Sequence, residues 1–131
     1  GLKESLSTTV GGLSFLQGIE MKTANRRNKE RCLARLYDFY NRKYFGGKLP
    51  RLTIRWDDGT RVRGAASTIF IGGQPALINF NAGFLSTVRQ MKLSLLHEMV
   101  HVALPVKFGH GKRWKAGMRR LAAKGAFDGL W

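Results

Sequence analysis

The stretch Met91-Lys92-Leu93-Ser94-Leu95-Leu96-His97-Glu98-Met99-Val100-His101-Val102-Ala103-Leu104 decides how the rest of the chain is read. Its apolar density predicts a largely buried helix. On a helix, positions i and i+4 share a face one turn apart, so His97 and His101 can grip one cation. Glu98 then projects beside them, where a carboxylate can reach a water on that cation. The chemistry this predicts is hydrolysis.

Zinc in a catalytic site takes three protein ligands and keeps the fourth position for water, whose pKa falls to about 7. A third ligand is therefore required. The chain holds three histidines, and the one left is His110 in Gly109-His110-Gly111. Downstream of the helix the only acidic residue is Asp128, so a glutamate ligand from that side is unavailable. Eight residues separate His101 from His110, and Leu104 stands where the metzincin spacing wants glycine. The expectation is a zincin with three histidine ligands that is not a metzincin.

A five-residue match of this kind also arises by chance. Two features argue against chance here. Unpaired polar groups on so apolar a helix would be costly, and a metal accounts for them. Every histidine of the chain also falls in this one neighbourhood.

At 131 residues the chain has the length of one domain. Its 23 Lys and Arg against 8 Asp and Glu give a formal charge of +15, which bears on partners and solubility and makes a polyanion the first suspect. A single cysteine, Cys32, excludes an internal disulfide and a cysteine-rich zinc ribbon, and fits a reducing intracellular compartment. No apolar run approaches the length of a membrane span, so no membrane role is expected.

Residues 1–21 lack the layout of a signal peptide and are expected to be an N-terminal arm, with Met21 near a possible natural start. Residues 22–131 form the single expected domain. It opens on Lys22, Arg26, Arg27, Lys29, Arg31 and Arg35, leading into a helix whose Leu33, Leu36, Tyr37, Tyr40 and Tyr44 keep helical spacing. Gly46-Gly47 is expected to end it.

After Pro50 the pattern turns to short extended pieces. Leu52–Trp56 alternates with Ile54 and Trp56 on one side, Asp57-Asp58-Gly59 reads as a turn, and Val62–Thr68 as extended. Thr68–Ile71 and Ala76–Phe80 flank the expected turn Gly72-Gly73-Gln74-Pro75, giving a small, mostly antiparallel sheet. Ser86 or Thr87 can cap the helix carrying the histidines, and Pro105 marks its end. The last helix is basic, with Lys107, Lys112, Arg113, Lys115, Arg119, Arg120 and Lys124 opposite a stripe of Trp114, Met118, Leu121 and Ala122. Trp114 and Trp56 read as core residues rather than base-stacking platforms.

Three segments, in order, resemble the SprT-like metalloprotease family. Tyr40-Asn41-Arg42-Lys43-Tyr44-Phe45-Gly46-Gly47-Lys48-Leu49-Pro50 is similar to the segment closing that family's first helix. Leu95–His101 resembles its active-site helix, and Gly109-His110-Gly111-Lys112-Arg113-Trp114 resembles the element providing its third ligand. The resemblance covers about Asn28 to Leu121. It implies a compact α+β zincin fold and proteolysis of proteins crosslinked or tightly bound to DNA. Zn2+ would sit on His97, His101 and His110, with Glu98 as general base. Since no cysteine-rich ribbon follows, DNA contacts are expected from this domain itself: Arg26, Arg27, Lys29 and Arg31 before the sheet, and Lys112, Arg113, Lys115, Arg119, Arg120 and Lys124 after the third ligand. A monomer is expected, in the cytoplasm or nucleoid of a bacterial or viral system or the nucleus of a eukaryotic cell.

Three other readings compete. A non-enzymatic DNA-binding module with structural zinc needs a fourth ligand, for which Cys32 and Asp128 are the candidates. A peptide deformylase needs a cysteine ligand, and Cys32 lies outside any such motif. A general small metallopeptidase without DNA dependence is the third possibility.

Overall fold

The structure is a computed structural model that describes residues 15–57, 64–85, 87–104 and 110–130, with side chains from residue 25 onward except Phe84. The order is α1 (Phe15–Tyr44), β1 (Thr53–Asp57), β2 (Ala66–Ile71), β3 (Gln74–Asn81), a 3-10 turn (Ala82–Phe84), α2 (Val88–Ala103) and α3 (Lys112–Ala123). This is an α+β arrangement of three helices and one small sheet. Helix α1 starts inside the stretch expected to be an arm; residues 1–14 lie outside the described residues.

Helix α1 buries Leu33, Tyr37, Tyr40 and Tyr44, a spacing of three and four that makes one stripe. Leu36 is half-buried at its margin. The helix ends where Gly46 and Gly47 take φ of 63° and 72°, which lets the Gly47 N–H close on the Asn41 carbonyl at 2.9 Å. The Asn41 side chain then bonds the Leu49 backbone twice, both at 3.0 Å, and the Tyr37 hydroxyl donates to the Pro50 carbonyl. The chain is thereby folded back along α1 and delivered to β1.

The sheet order is β1-β3-β2, with β1 and β3 parallel and β2 and β3 antiparallel. The expected mostly antiparallel sheet is corrected to a mixed one. Gly72 and Gly73, at φ 59° and 80°, make the tight connection that forces β2 and β3 antiparallel. Strand β3 then enters between β2 and β1, and so runs in the direction of β1. The turn is also tighter than expected: Gln74 and Pro75 already belong to β3, where Pro75 meets Phe70 at a register shift. Of the other expected pieces, residues 58, 59, 62 and 63 lie outside the described residues.

Ile54 and Trp56 of β1 and Ile78 and Phe80 of β3 face the helices and join Leu33, Leu95, Leu96, Met99, Val100 and Leu121 in one core. Helix α2 begins with a capping box in which Thr87 Oγ1 accepts from the Gln90 N–H at 3.1 Å and Gln90 Oε1 accepts from the Thr87 N–H at 3.2 Å. Ser86, the other cap candidate, and Pro105 lie outside the described residues. On α3 the inward stripe is Trp114, Gly117, Met118 and Leu121, and the expected Ala122 is exposed instead. A Cβ at Gly117 would stand 2.7 Å from Val100 Cγ1, so the missing side chain is what lets α3 press against α2. Among the described residues no helix is long and apolar enough to cross a membrane.

Candidate metal centre

Helix α2 carries His97 and His101 on one face, with ring centroids 5.1 Å apart. The residue that completes the group comes from just ahead of α3. His110 brings its Nε2 to 3.0 Å from His97 Nε2 and 3.1 Å from His101 Nε2. Three ligands at about 2.0–2.1 Å around one tetrahedral ion would lie roughly 3.3–3.4 Å apart, so the spacing is close to what zinc demands. A neutral imidazole carries one N–H, and three Nε2 atoms pointing at one another cannot satisfy themselves with hydrogen bonds alone. A cation between them satisfies all three lone pairs together.

The protonation states agree. Burial, reinforced by His101 and His110, lowers the His97 pKa from its ordinary 6.5 to about 4. Burial first and His110 second also lower that of His101. Both rings are thus held in the neutral form a metal requires.

Trp114, in the first turn of α3, walls the three rings. Its ring centroid lies 4.7 Å from that of His97, 5.8 Å from His101 in a stacked arrangement, and 4.8 Å from His110 edge-on. Its indole N–H donates to the His97 carbonyl at 3.4 Å. The helical stripe marks it as a core residue, and it is half-buried against the core while its ring also packs on the histidines. The signal in the sequence is its place one turn after His110.

Glu98 is 5% exposed, on the side of α2 that faces β2. Its Oε1 accepts from Thr68 Oγ1 at 2.8 Å, and its Oε2 lies 3.7 Å from His97 Nε2. Burial raises its pKa, and the Thr68 hydrogen bonds pull the other way without cancelling the rise. A carboxylate with a raised pKa beside histidines able to hold a metal ion is suited to taking and returning a proton. Nothing in the sequence marks Thr68, one of several strand residues, as its partner.

Two cavities open on either side of this carboxylate. One, of about 260 Å³, is lined by Ala65, Ala66, Leu93, Ser94, His97 and Glu98. The other, of about 200 Å³, includes Thr68, Phe70, Glu98 and the three histidines. Strand β2, an edge of the sheet, forms one rim of both.

Cys32 is exposed on α1, and neither it nor Asp128 joins the histidines. Among the described residues, the side chains able to share a metal are His97, His101 and His110. Of the basic residues singled out above, Arg26, Arg27, Arg31, Lys112, Arg113, Lys115, Arg119, Arg120 and Lys124 are exposed. Lys29 is half-buried, its ammonium 4.6 Å over the Trp56 ring, and Lys124 donates to the Tyr44 carbonyl at 3.0 Å.

The model of the SprT-like family matches residues 33–128, which takes in the first-helix segment, the sheet and all three histidines. The chain belongs to the SprT-like family. Over 105 residues this SprT-like domain is 27% identical to the germ cell nuclear acidic protein of Drosophila melanogaster. That match covers 75% of this chain but 10% of the relative, so the chain spans about a tenth of the relative's length. No solved structure matches the SprT-like chain. Family membership makes this a metalloprotease-like domain, in keeping with a histidine group able to hold a metal ion.

Proposed function

We propose that this chain is a zinc-dependent endopeptidase of zincin type that acts on proteins bound or crosslinked to DNA. The observation that carries the hydrolytic half is the convergence of three Nε2 atoms beside a buried carboxylate at an open sheet edge. His97, His101 and His110 would hold the ion. Bound there, zinc would supply an acidified water and a polarised carbonyl.

The remaining work falls to the chain's own groups. Glu98 takes a proton from the attacking water and delivers it to the leaving amine, so one C–O bond forms, the C–N bond breaks, and the carboxylate is regenerated. Among the described residues the outer edge of strand β2 is unpaired, and it offers itself to an extended peptide, which would place side chains in the two cavities flanking Glu98.

The DNA half rests on the charge of +15 and on the exposed arginines and lysines of α1 and α3. Phosphate contacts of this kind are independent of base sequence and weaken with salt. Helix α3 starts two residues after His110, so DNA bound along it would bring attached proteins near the metal. The protein would work inside the cell as a monomer; the nuclear relative by name favours the nucleus if the cell is eukaryotic. A specific observation keeps a DNA-independent metallopeptidase in view: Lys29 and Lys124 are engaged within the fold, so part of the charge is structural. The deciding experiment compares cleavage of a DNA-bound protein and a free peptide by wild type and Glu98→Gln, with and without DNA. Equal cleavage by both forms sinks the peptidase; cleavage indifferent to DNA leaves the general metallopeptidase.

A further inference from the structure

Glu98 has one carboxylate oxygen engaged and one facing the metal ligands. The engaged oxygen is Oε1, held at 2.8 Å by the Thr68 hydroxyl. Oε2 is the oxygen near His97 Nε2. A glutamate carboxylate otherwise rotates broadly about its last torsion, so a donor fixed on one oxygen decides where the other points. The donor here is fixed, because Thr68 lies in β2 and is paired in register with Ile78 of the central strand.

We propose that Thr68 is a positioning residue for the peptidase reaction, anchoring Glu98 by Oε1 so that Oε2 faces the water to be deprotonated. The inference rests on the metallopeptidase reading above and extends it to a residue outside α2. Its chemistry is simple. A hydroxyl donating into Oε1 makes that oxygen the poorer proton acceptor, which leaves the proton taken from water on Oε2 and on the side of the scissile bond. Because the anchor sits on the same strand that would hold the peptide, base and substrate share one frame.

The test uses Thr68→Val, which keeps the β-branched shape but removes the donor, and Thr68→Ser, which keeps the donor. Each is compared with wild type and Glu98→Gln for kcat and KM on a peptide, bound zinc and melting temperature. Thr68→Val should lose about 10- to 100-fold in kcat, as removal of such an outer partner commonly does. Its KM and zinc content should stay at wild-type values, and Thr68→Ser should recover most of the rate. Wild-type kcat in Thr68→Val overturns the role. So does an equal loss in Thr68→Ser, which would put the effect in strand shape, or a loss of zinc in Thr68→Val, which would put it in site assembly. If wild type is no faster than Glu98→Gln, the metallopeptidase reading itself fails; a fast wild type with an unaffected Thr68→Val fails this inference alone.

Discussion

The two edges of the sheet each meet a glutamate, and they put it to different use. At the β1 edge the Trp56 N–H donates to Glu30 Oε2 at 3.0 Å, and Lys29 lies over the Trp56 ring. Helix α1 thereby occupies an edge that would otherwise offer an unpaired donor to another strand. At the β2 edge the Thr68 hydroxyl donates to Glu98, but here the carboxylate is buried beside three histidines and flanked by two cavities. One edge is closed by its glutamate. The other keeps an approach to it.

The difference lies in what surrounds each carboxylate rather than in the carboxylate itself. Burial raises the pKa of Glu98 and lowers those of His97 and His101, and the ring nitrogens of three histidines converge beside it. The sharpest way to break the contrast is to remove a histidine. His97→Ala, His101→Ala and His110→Ala should each lose stoichiometric zinc and all turnover, since two imidazoles leave the ion under-coordinated. Metal analysis of the purified variants checks this, and stoichiometric zinc in His110→Ala would show that the third ligand is wrongly assigned.

Next in size is the base. Glu98→Gln preserves shape and should keep the metal, but an amide cannot accept the proton, so turnover should fall about 10² to 10⁴-fold. A variant that binds zinc and cleaves at the wild-type rate would reduce Glu98 to the same structural duty as Glu30. A smaller effect is expected from the basic face of α3, whose first residue follows His110 by two positions. Arg119→Glu with Arg120→Glu should weaken DNA binding and any DNA-stimulated cleavage together, leaving zinc content unchanged. The slope of log affinity against log salt should also become shallower, by about 0.9 for each duplex phosphate that the variant no longer neutralises. DNA affinity indifferent to both substitutions would remove α3 from the interface.

How much of this the sequence announces follows from how local each feature is. His97, Glu98 and His101 are legible because one helical turn relates them, and His110 because no other histidine remains. The tyrosine stripe of α1 is legible for the same periodic reason. The mixed sheet is not, because nothing in β3 says that it slots between two strands already made. Gly117 escapes the helical stripe, which takes in Ala122 instead, since a close helix contact is made by an absent side chain that hydropathy does not register. Thr68 and Glu30 carry no local signal either. Each acts on a residue 30 or 26 positions away, and only the fold brings those pairs together.

The smallest predicted effect tests the closed edge alone. Glu30→Ala removes the acceptor of the Trp56 N–H without touching the histidines, Glu98 or Thr68. The bond is only partly buried, so water can replace the lost acceptor and the cost should sit near the low end for such losses, about 1 kcal/mol. For a domain of this size that is a fall in melting temperature of about 3–6 °C. Zinc content and kcat should stay at wild-type values, because the altered edge lies on the far side of β3 from β2. Uncovering the donor should also raise the tendency of chains to pair edge to edge, read as concentration-dependent mass in sedimentation. A Glu30→Ala protein that melts as wild type and stays monomeric would show that Glu30 does not close this edge. One that keeps its zinc but loses turnover as Glu98→Gln does would erase the distinction between the two edges.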